Sequence, residues 1–239
     1  YNLQKIRVKT LDRYGNNLDA YLSFKCLGSI CELGQSENGY FEGNVPQCVN
    51  GFIISKKEGY ADGKSQVSSI DEISVVIAMS KIYNISLILT EDGNKIKEGD
   101  SALINFYSPE YSYNVYYPLQ KSIMLPEGNY EIKAYLFREG NITLNAQSTE
   151  ECIEVPKSGI AGFFGFTTEK CFNIEMPSQE LNRVPIGGGK LKASFDEDEL
   201  MLSKEMTINI PLTEFPKSIL DLQKVYEDID ASQLSLRLR

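Results

Sequence analysis

Ile6-Arg7-Val8-Lys9-Thr10 is a strand-like stretch near the start of the chain, and it has a counterpart 79 residues later, Ile85-Ser86-Leu87-Ile88-Leu89. Three further landmarks recur at offsets of 78, 80 and 81 residues: a Gly-Asn turn at 15, an apolar-Pro pair at 45 and a basic-Glu-Gly turn at 57. A period of about eighty residues suits a small β-sandwich rather than a solenoid repeat. The sequence therefore predicts two copies of one scaffold in tandem.

The expected fold class is mainly β, with tandem transthyretin- or immunoglobulin-like β-sandwiches followed by a C-terminal hairpin and one α-helix. We place the first module at residues 1–81 and the second at 82–177, with a short, semi-rigid connection between them. Residues 178–239 are expected to pack on the second module.

In this last unit, the glycines at 187–189 are expected to act as a flexible break in the chain. Strands at 191–195 and 206–211 then pair as a hairpin around a solvated acidic turn, 196–199. Apolar residues at helical spacing after Pro216 predict the helix.

Composition excludes several classes of function. The 239-residue chain has a net charge of -9 and no basic stripe, which argues against nucleic acid as a partner. It contains no histidine, the commonest general base and zinc ligand, and no CxxC motif. The acidic run lacks the ligand spacing of an EF-hand. We therefore predict no enzyme, catalytic residue, cofactor or metal site, and keep a carboxylate-dependent hydrolase as an alternative.

Cysteines and glycosylation sequons indicate the compartment. Five cysteines fall into a group of three and a pair, and sequons begin at Asn84 and Asn141. Together they favour disulfides and an extracellular or cell-surface location. The chain begins at Tyr1 and shows no signal segment or long apolar run, so we expect any signal peptide or membrane anchor to lie outside it.

The cysteine spacing predicts two disulfides. Cys152 and Cys171 flank a loop between two strands and are expected to pair. In the first module, an expected hairpin of strands 31–35 and 40–45 around an Asn-Gly turn favours a Cys31–Cys48 bond. The pairs Cys26–Cys48 and Cys26–Cys31 remain open, and the odd cysteine is either buried or bonded to another molecule.

Two segments are candidate interaction surfaces. The loop between Cys152 and Cys171 carries Ile160, Phe163, Phe164 and Phe166, which either contact a partner or a lipid surface or fold back over the sandwich. A tyrosine-rich segment contains Tyr111, Tyr113, Tyr116 and Tyr117. Tyrosine clusters suit recognition of proteins or sugar rings, and alternating tyrosines are also ordinary strand residues.

The first module resembles the carboxypeptidase-regulatory-like, transthyretin-like family through Ala20-Tyr21-Leu22, Asn38-Gly39-Tyr40-Phe41 and Glu58-Gly59-Tyr60. The second is similar to the PEGA-like members through Leu125-Pro126-Glu127-Gly128-Asn129-Tyr130. The whole chain also resembles secreted or surface proteins of small-genome archaea, through Pro46-Gln47-Cys48-Val49-Asn50-Gly51 and Glu151-Cys152-Ile153-Glu154-Val155-Pro156. This resemblance implies a sandwich fold and a non-catalytic extracellular spacer or binding role.

The expected function is therefore a non-enzymatic extracellular binding or structural module of a surface or secreted protein, acting on a protein or glycan partner through loops and sheet edges. The alternatives are a carbohydrate-binding accessory module that uses the tyrosine segment, the carboxylate-dependent hydrolase, and a membrane-contacting protein that uses the Phe163–Phe166 loop.

Overall fold

The computed structural model describes residues 3–144, 147–156, 167–176 and 179–239. Its first half contains seven strands: β1 (Leu3–Leu11), β2 (Tyr21–Cys26), β3 (Ser29–Gln35), β4 (Tyr40–Pro46), β5 (Gly51–Lys56), β6 (Gly63–Val67) and β7 (Ile73–Ala78). They form two sheets, with strand orders β4-β1-β7 and β3-β2-β5-β6. Apolar side chains of both sheets, among them Ile6, Phe24 and Ile53, are fully buried between them. This is a β-sandwich core.

The second half has the same construction with longer strands. These are β8 (Tyr83–Glu91), β9 (Asn94–Lys95), β10 (Ser101–Tyr107), β11 (Ser112–Tyr117), β12 (Ser122–Leu125), β13 (Gly128–Leu144), β14 (Gln147–Pro156), β15 (Thr167–Met176), β16 (Gln179–Phe195), β17 (Glu205–Ile210) and β18 (Ser235–Leu238). One sheet has the order β12-β8-β17-β18, with β9 at the side of β8, and the other has the order β11-β10-β13-β16. Leu87, Phe106 and Ile132 are buried between the two sheets.

Both halves follow one strand path. In the first, β1 pairs antiparallel with β4 and parallel with β7; in the second, β8 pairs antiparallel with β12 and parallel with β17. The order β3-β2-β5-β6 likewise corresponds to β11-β10-β13-β16, with every pair antiparallel. The prediction of tandem sandwiches built on one duplicated scaffold is confirmed.

The prediction of a separate C-terminal hairpin is wrong. Strand β16 pairs with β13 in one sheet and β17 pairs with β8 in the other, so they complete the second sandwich instead of pairing with each other. Gly187-Gly188-Gly189 lies inside β16 and is not a break. A Cβ at Gly188 would lie 2.5 Å from the carbonyl oxygen of Ala134, so the glycines permit close backbone approach.

The hairpin expected around Asn38-Gly39 is also wrong. Both residues have the positive φ values that such a turn requires, 51° and 75°. The strands on either side of it, however, enter different sheets, because β3 pairs with β2 while β4 pairs with β1. The turn therefore carries the chain from one layer of the sandwich to the other.

The second sandwich carries three additions. Helix α1 (Glu197–Leu202) forms where a solvated turn was expected, and helix α2 (Ile219–Ala231) forms where the helical spacing predicted it. Strands β14 and β15 pair only with each other, as a two-stranded ribbon inserted between β13 and β16. We call this ribbon the arm. Within the described ranges, no helix is long and apolar enough to cross a bilayer.

Hydrogen bonds join the connection between the halves to the first sandwich. The N–H of Ile82 donates to Gly59 O at 2.8 Å, and the N–H of Ala61 donates to Ser80 O at 2.8 Å. Arg13 forms an ion pair with Glu127 across the seam. The last residue of the first core is Met79 and the first of the second is Ile85. Residue 81 remains our proposed domain boundary.

Candidate functional site

The predicted tyrosine surface is only partly formed. Tyr113 and Tyr117 are partly buried and pack against the core, because alternate residues of β11 point inward. Tyr111 stacks on Tyr113, with ring centroids 6.5 Å apart, and its hydroxyl donates to Met124 O at 2.9 Å. Burial raises the pKa of Tyr111. Of the four, Tyr116 alone is more than half exposed, at 56%.

The outer face of the sheet β11-β10-β13-β16 places other polar residues together. Residues directly opposite each other in antiparallel strands share a face. The register sets one row across the four strands as Ser112, Tyr107, Glu131 and Lys192. The next row is Asn114, Asn105, Lys133 and Lys190, in which Asn105 Nδ2 donates to Asn114 Oδ1 at 2.6 Å.

Helix α2 covers the neighbouring part of this face. Tyr226 of the helix contacts Tyr135 of β13, with ring centroids 6.5 Å apart, and Ile229 packs over Gly188. The two rows that contain Lys133 and Glu131 stay uncovered, because the helix ends at Ala231. The helix end thus forms a wall beside the open rows.

Two adjoining depressions lie along these rows. One, of about 500 Å³, lies between Tyr107 and Lys192. The other, of about 420 Å³, lies between Lys190 and the end of α2. Glu131 and Lys192 line both of them. We call the continuous depression the lysine trough.

The lysine trough carries surplus positive charge on an acidic chain. Lys133 Nζ lies 3.5 Å from Glu131 Oε1. Among the residues that the structure describes, no carboxylate lies within 4.0 Å of the Nζ of Lys190 or Lys192. Tyr107, 54% exposed, adds an aromatic ring to one wall. The trough therefore offers ammonium donors and an apolar ring to a ligand.

Glu91, Asp100 and Glu197 are the buried acids among the residues that the structure describes. Glu131 is the one carboxylate among the residues lining the trough. Glu91 and Asp100 are buried near each other, and Arg138 binds both through its guanidinium. Glu197 is buried and accepts a hydrogen bond of 2.8 Å from the Tyr83 hydroxyl. The three buried acids therefore bond to Arg138 or Tyr83, and none of them lines the trough.

The first-module disulfide joins Cys26 to Cys48, so the predicted Cys31–Cys48 bond is wrong. Cys26 ends β2 beside the loop that contains Cys48. Cys31 lies on β3, which is an edge strand, and β3 and β4 belong to different sheets. Cys31 is exposed with an unbonded thiol, contrary to the alternative of a buried odd cysteine.

The second disulfide joins Cys152 to Cys171 at directly opposite positions of the arm, which is the pairing the sequence suggested. The carboxylate of Glu150 lies within 4.8 Å of both sulfur atoms. Because the two cysteines are bonded to each other, they have no thiolate to offer a metal.

Other predicted residues are only partly placed. Ile160, Phe163, Phe164 and Phe166 lie outside the described residues. Asn84 is exposed on β8, in the sheet away from the trough, while Asn141 is described in its backbone alone.

Sequence reasoning missed the trough lysines because it treated the glycines before them as a flexible break. The alternation in Lys190-Leu191-Lys192-Ala193 is the signal that identifies a strand with both lysines on one face. Tyr107 and Glu131 belong to the same face by the same rule, but only the register brings them beside the lysines.

No protein-family model and no curated protein matches the chain, so its resemblance to transthyretin-like modules remains a prediction. Among solved structures, it is similar to a streptococcal ancillary pilin, at 14% identity over 89% of this chain and 63% of that chain, with a TM-score of 0.32. It is also similar to GBS52, the minor pilin of Streptococcus agalactiae, at 12% identity over 89% and 97% of the two chains, with a TM-score of 0.33.

A third similar structure is the pilus adhesin SpaC from Lactobacillus rhamnosus GG, at 9% identity over 88% and 43% of the two chains, with a TM-score of 0.23. The chain spans less than two thirds of the length of the ancillary pilin and of SpaC. None of these TM-scores reaches 0.5, and the proposals below depend on the chain's own geometry.

Proposed function

We propose that the protein is a non-enzymatic, extracellular binding module whose contact surface is the lysine trough. The observation that carries the proposal is the charge of Lys190 and Lys192, which face solvent beside an exposed tyrosine on a chain of net charge -9. The disulfides Cys26–Cys48 and Cys152–Cys171 support a location outside the reducing cytosol.

The architecture supports a binding role rather than catalysis. The two sandwiches are supports built from paired strands, and the register gathers Glu131, Lys190 and Lys192 on one outer face of the second. Binding sites placed on strands of a rigid scaffold keep their geometry without a bound partner. The partner class expected here is a protein or glycan of the cell surface.

The test is a binding experiment with the full chain. The variant Lys190→Glu/Lys192→Glu should lose capture of surface components from the source cells by at least about tenfold, which corresponds to 1.4 kcal/mol. Lys25→Glu/Lys95→Glu, which makes the same charge change at two exposed lysines elsewhere, is the matched control. Equal capture by both variants and the unmodified protein contradicts the proposal.

A glycan is the second candidate, because Tyr107 lies beside Asn, Lys and Glu side chains, the combination that stacks on and hydrogen-bonds to a sugar ring. The test is a glycan array with Tyr107→Ala and, as the control, Tyr21→Ala, which removes an exposed tyrosine from the first module. Glycan binding that only Tyr107→Ala abolishes supports this candidate. Identical profiles for both variants exclude it.

A further inference from the structure

The arm has two chemically different faces. The register places Cys152 opposite Cys171, and therefore Glu150, Glu154 and Glu169 share the face of the disulfide. The other face carries Ile153, Val155 and Phe172, with Lys170 directly opposite Ile153 and Glu151 directly opposite Phe172. Ile153 and Phe172 are diagonal neighbours, and each is 51% exposed. The disulfide face of the ribbon is thus acidic, and the other face combines exposed apolar side chains with one acid and one base.

The arm is also strongly charged. Its exposed described residues include four glutamates, Glu150, Glu151, Glu154 and Glu169, and one lysine, Lys170. A two-stranded ribbon is only marginally stable in water, and here the disulfide holds the two strands together. Two large apolar side chains on such a stapled, projecting ribbon are typical of an interaction surface.

The lysine trough has the complementary chemistry. One wall includes the Tyr107 ring, which suits Ile153 and Phe172, and the open face carries Lys190 and Lys192, which suit the glutamates. The opposite net charges favour encounter of the two surfaces. We infer that the arm of one molecule docks in the lysine trough of a second copy. This inference rests on the proposed role of the trough as a contact surface.

A molecule's own arm does not reach its trough. From Lys133, in the row of the trough nearest the arm, to Leu144 at the end of β13, the strand covers about 36 Å at ~3.3 Å per residue. The pairing register continues from Leu144 opposite Gln179 to Gln147 opposite Met176, so the arm extends further away from the trough. The arm must therefore come from another molecule. Because arm and trough are different surfaces, the contact is heterologous and generates rings or open chains of molecules.

Sedimentation of the full chain over about 1 µM to about 1 mM tests the inference, since contacts of small area associate in this range. The unmodified protein should form dimers and larger species, and raising the salt concentration should weaken them. The trough variant Lys190→Glu/Lys192→Glu and the arm variant Ile153→Asp/Phe172→Asp should each remain monomeric. All four positions are exposed, and circular dichroism checks that both variants are folded.

Mixing the two monomeric variants identifies the contact. The trough variant keeps its arm and the arm variant keeps its trough, so an equimolar mixture should form a heterodimer and nothing larger. A trough variant that still self-associates indicates arm-to-arm pairing and overturns the inference. An unmodified protein that stays monomeric also overturns it; if its trough then still captures a glycan or another protein, the proposed function stands without it.

Discussion

Arg138 donates three hydrogen bonds to the carboxylate of Asp100: Nε to Oδ1 at 2.9 Å, Nε to Oδ2 at 3.1 Å and Nη2 to Oδ2 at 2.6 Å. The same Nη2 donates to Glu91 Oε2 at 2.9 Å. Both side chains that accept these bonds are almost completely buried. The hydrogen bond to Asp100 raises the pKa of Arg138, which stays charged. Because Arg138 lies on β13 and Glu91 ends β8, this trio connects the two sheets of the second sandwich.

Asp100→Ala should lower the free energy of unfolding by about 2–3 kcal/mol, because it leaves Arg138 and Glu91 with an incomplete buried charge network. Urea denaturation measures the change. Glu42→Ala is the control: it removes an exposed partner of Lys5 and Arg7 and should leave the transition midpoint unchanged. Equal shifts for both variants contradict a special role for the buried trio.

Gly188→Ala should destabilise the second sandwich by about 1–3 kcal/mol through overpacking. Its Cβ would lie 2.5 Å from Ala134 O and 2.8 Å from Ile229 Cγ2, so the strand or helix α2 must move. Gly28→Ala, whose Cβ meets no atom within 4 Å, is the matched control. Urea denaturation of both variants measures the difference in stability. Unfolding curves that coincide contradict the explanation by close backbone approach.

Cys31 should be the single cysteine that reacts with a maleimide in the native, unreduced protein, because the other four are paired. Mass spectrometry should show one label per chain, and peptide mapping without reduction should recover the Cys26–Cys48 and Cys152–Cys171 peptides. Cys31→Ser should abolish labelling and keep both crosslinks. A label on Cys26 would show that the bond forms differently in solution.

Asp221 should contribute to the stability of α2 only above acidic pH. Its carboxylate accepts a hydrogen bond from the Lys217 N–H at 3.0 Å, which lowers the pKa of Asp221 below its ordinary value of 3.8. Because the folded-state pKa is depressed, the stabilisation is complete above that ordinary value and is lost as the pH falls through the folded-state pKa. The melting temperature of Asp221→Asn should therefore lie below that of the unmodified protein at neutral pH and match it near pH 2. A difference that persists in acid contradicts this origin.

Tyr83→Phe should cost about 1–3 kcal/mol, because it leaves the buried carboxylate of Glu197 without its hydrogen-bond donor. The other oxygen, Oε2, already has no partner among the described residues. Tyr14→Phe, which removes an exposed hydroxyl bonded to Asp198, is the control and should have no measurable effect on thermal unfolding. Similar losses in both variants contradict the importance of burial.

The sequence was sufficient to predict the duplication because turns and alternating strands recur within each copy. It failed where pairing is non-local. Strand β6 gives little signal in the sequence, since only Gly63 and Val67 of its five residues are buried. Without β6 in the first copy, nothing indicated that β16 is its counterpart, and the end of the second sandwich was taken for a separate unit.

The candidate site shows the same division between local pattern and pairing. Alternation along β16 is sufficient to place Lys190 and Lys192 on one face. Their position beside Tyr107 depends on the register of three strands, two of them far apart in sequence. The disulfide in the first half failed for a related reason: the pairing of Cys48 follows from which layer each strand joins, and short-range turn chemistry does not determine that.

The arm grows from the connection between β13 and β16, and in the first copy the corresponding connection, β5 to β6, is a short turn that hydrogen-bonds to the linker through Gly59 and Ala61. A long insertion there would occupy the space where the second copy attaches. In a head-to-tail pair of such sandwiches, this connection must therefore be a short turn in the first copy. In the second copy, the same connection can carry a long insertion. The asymmetry of the two copies follows from their position along the chain.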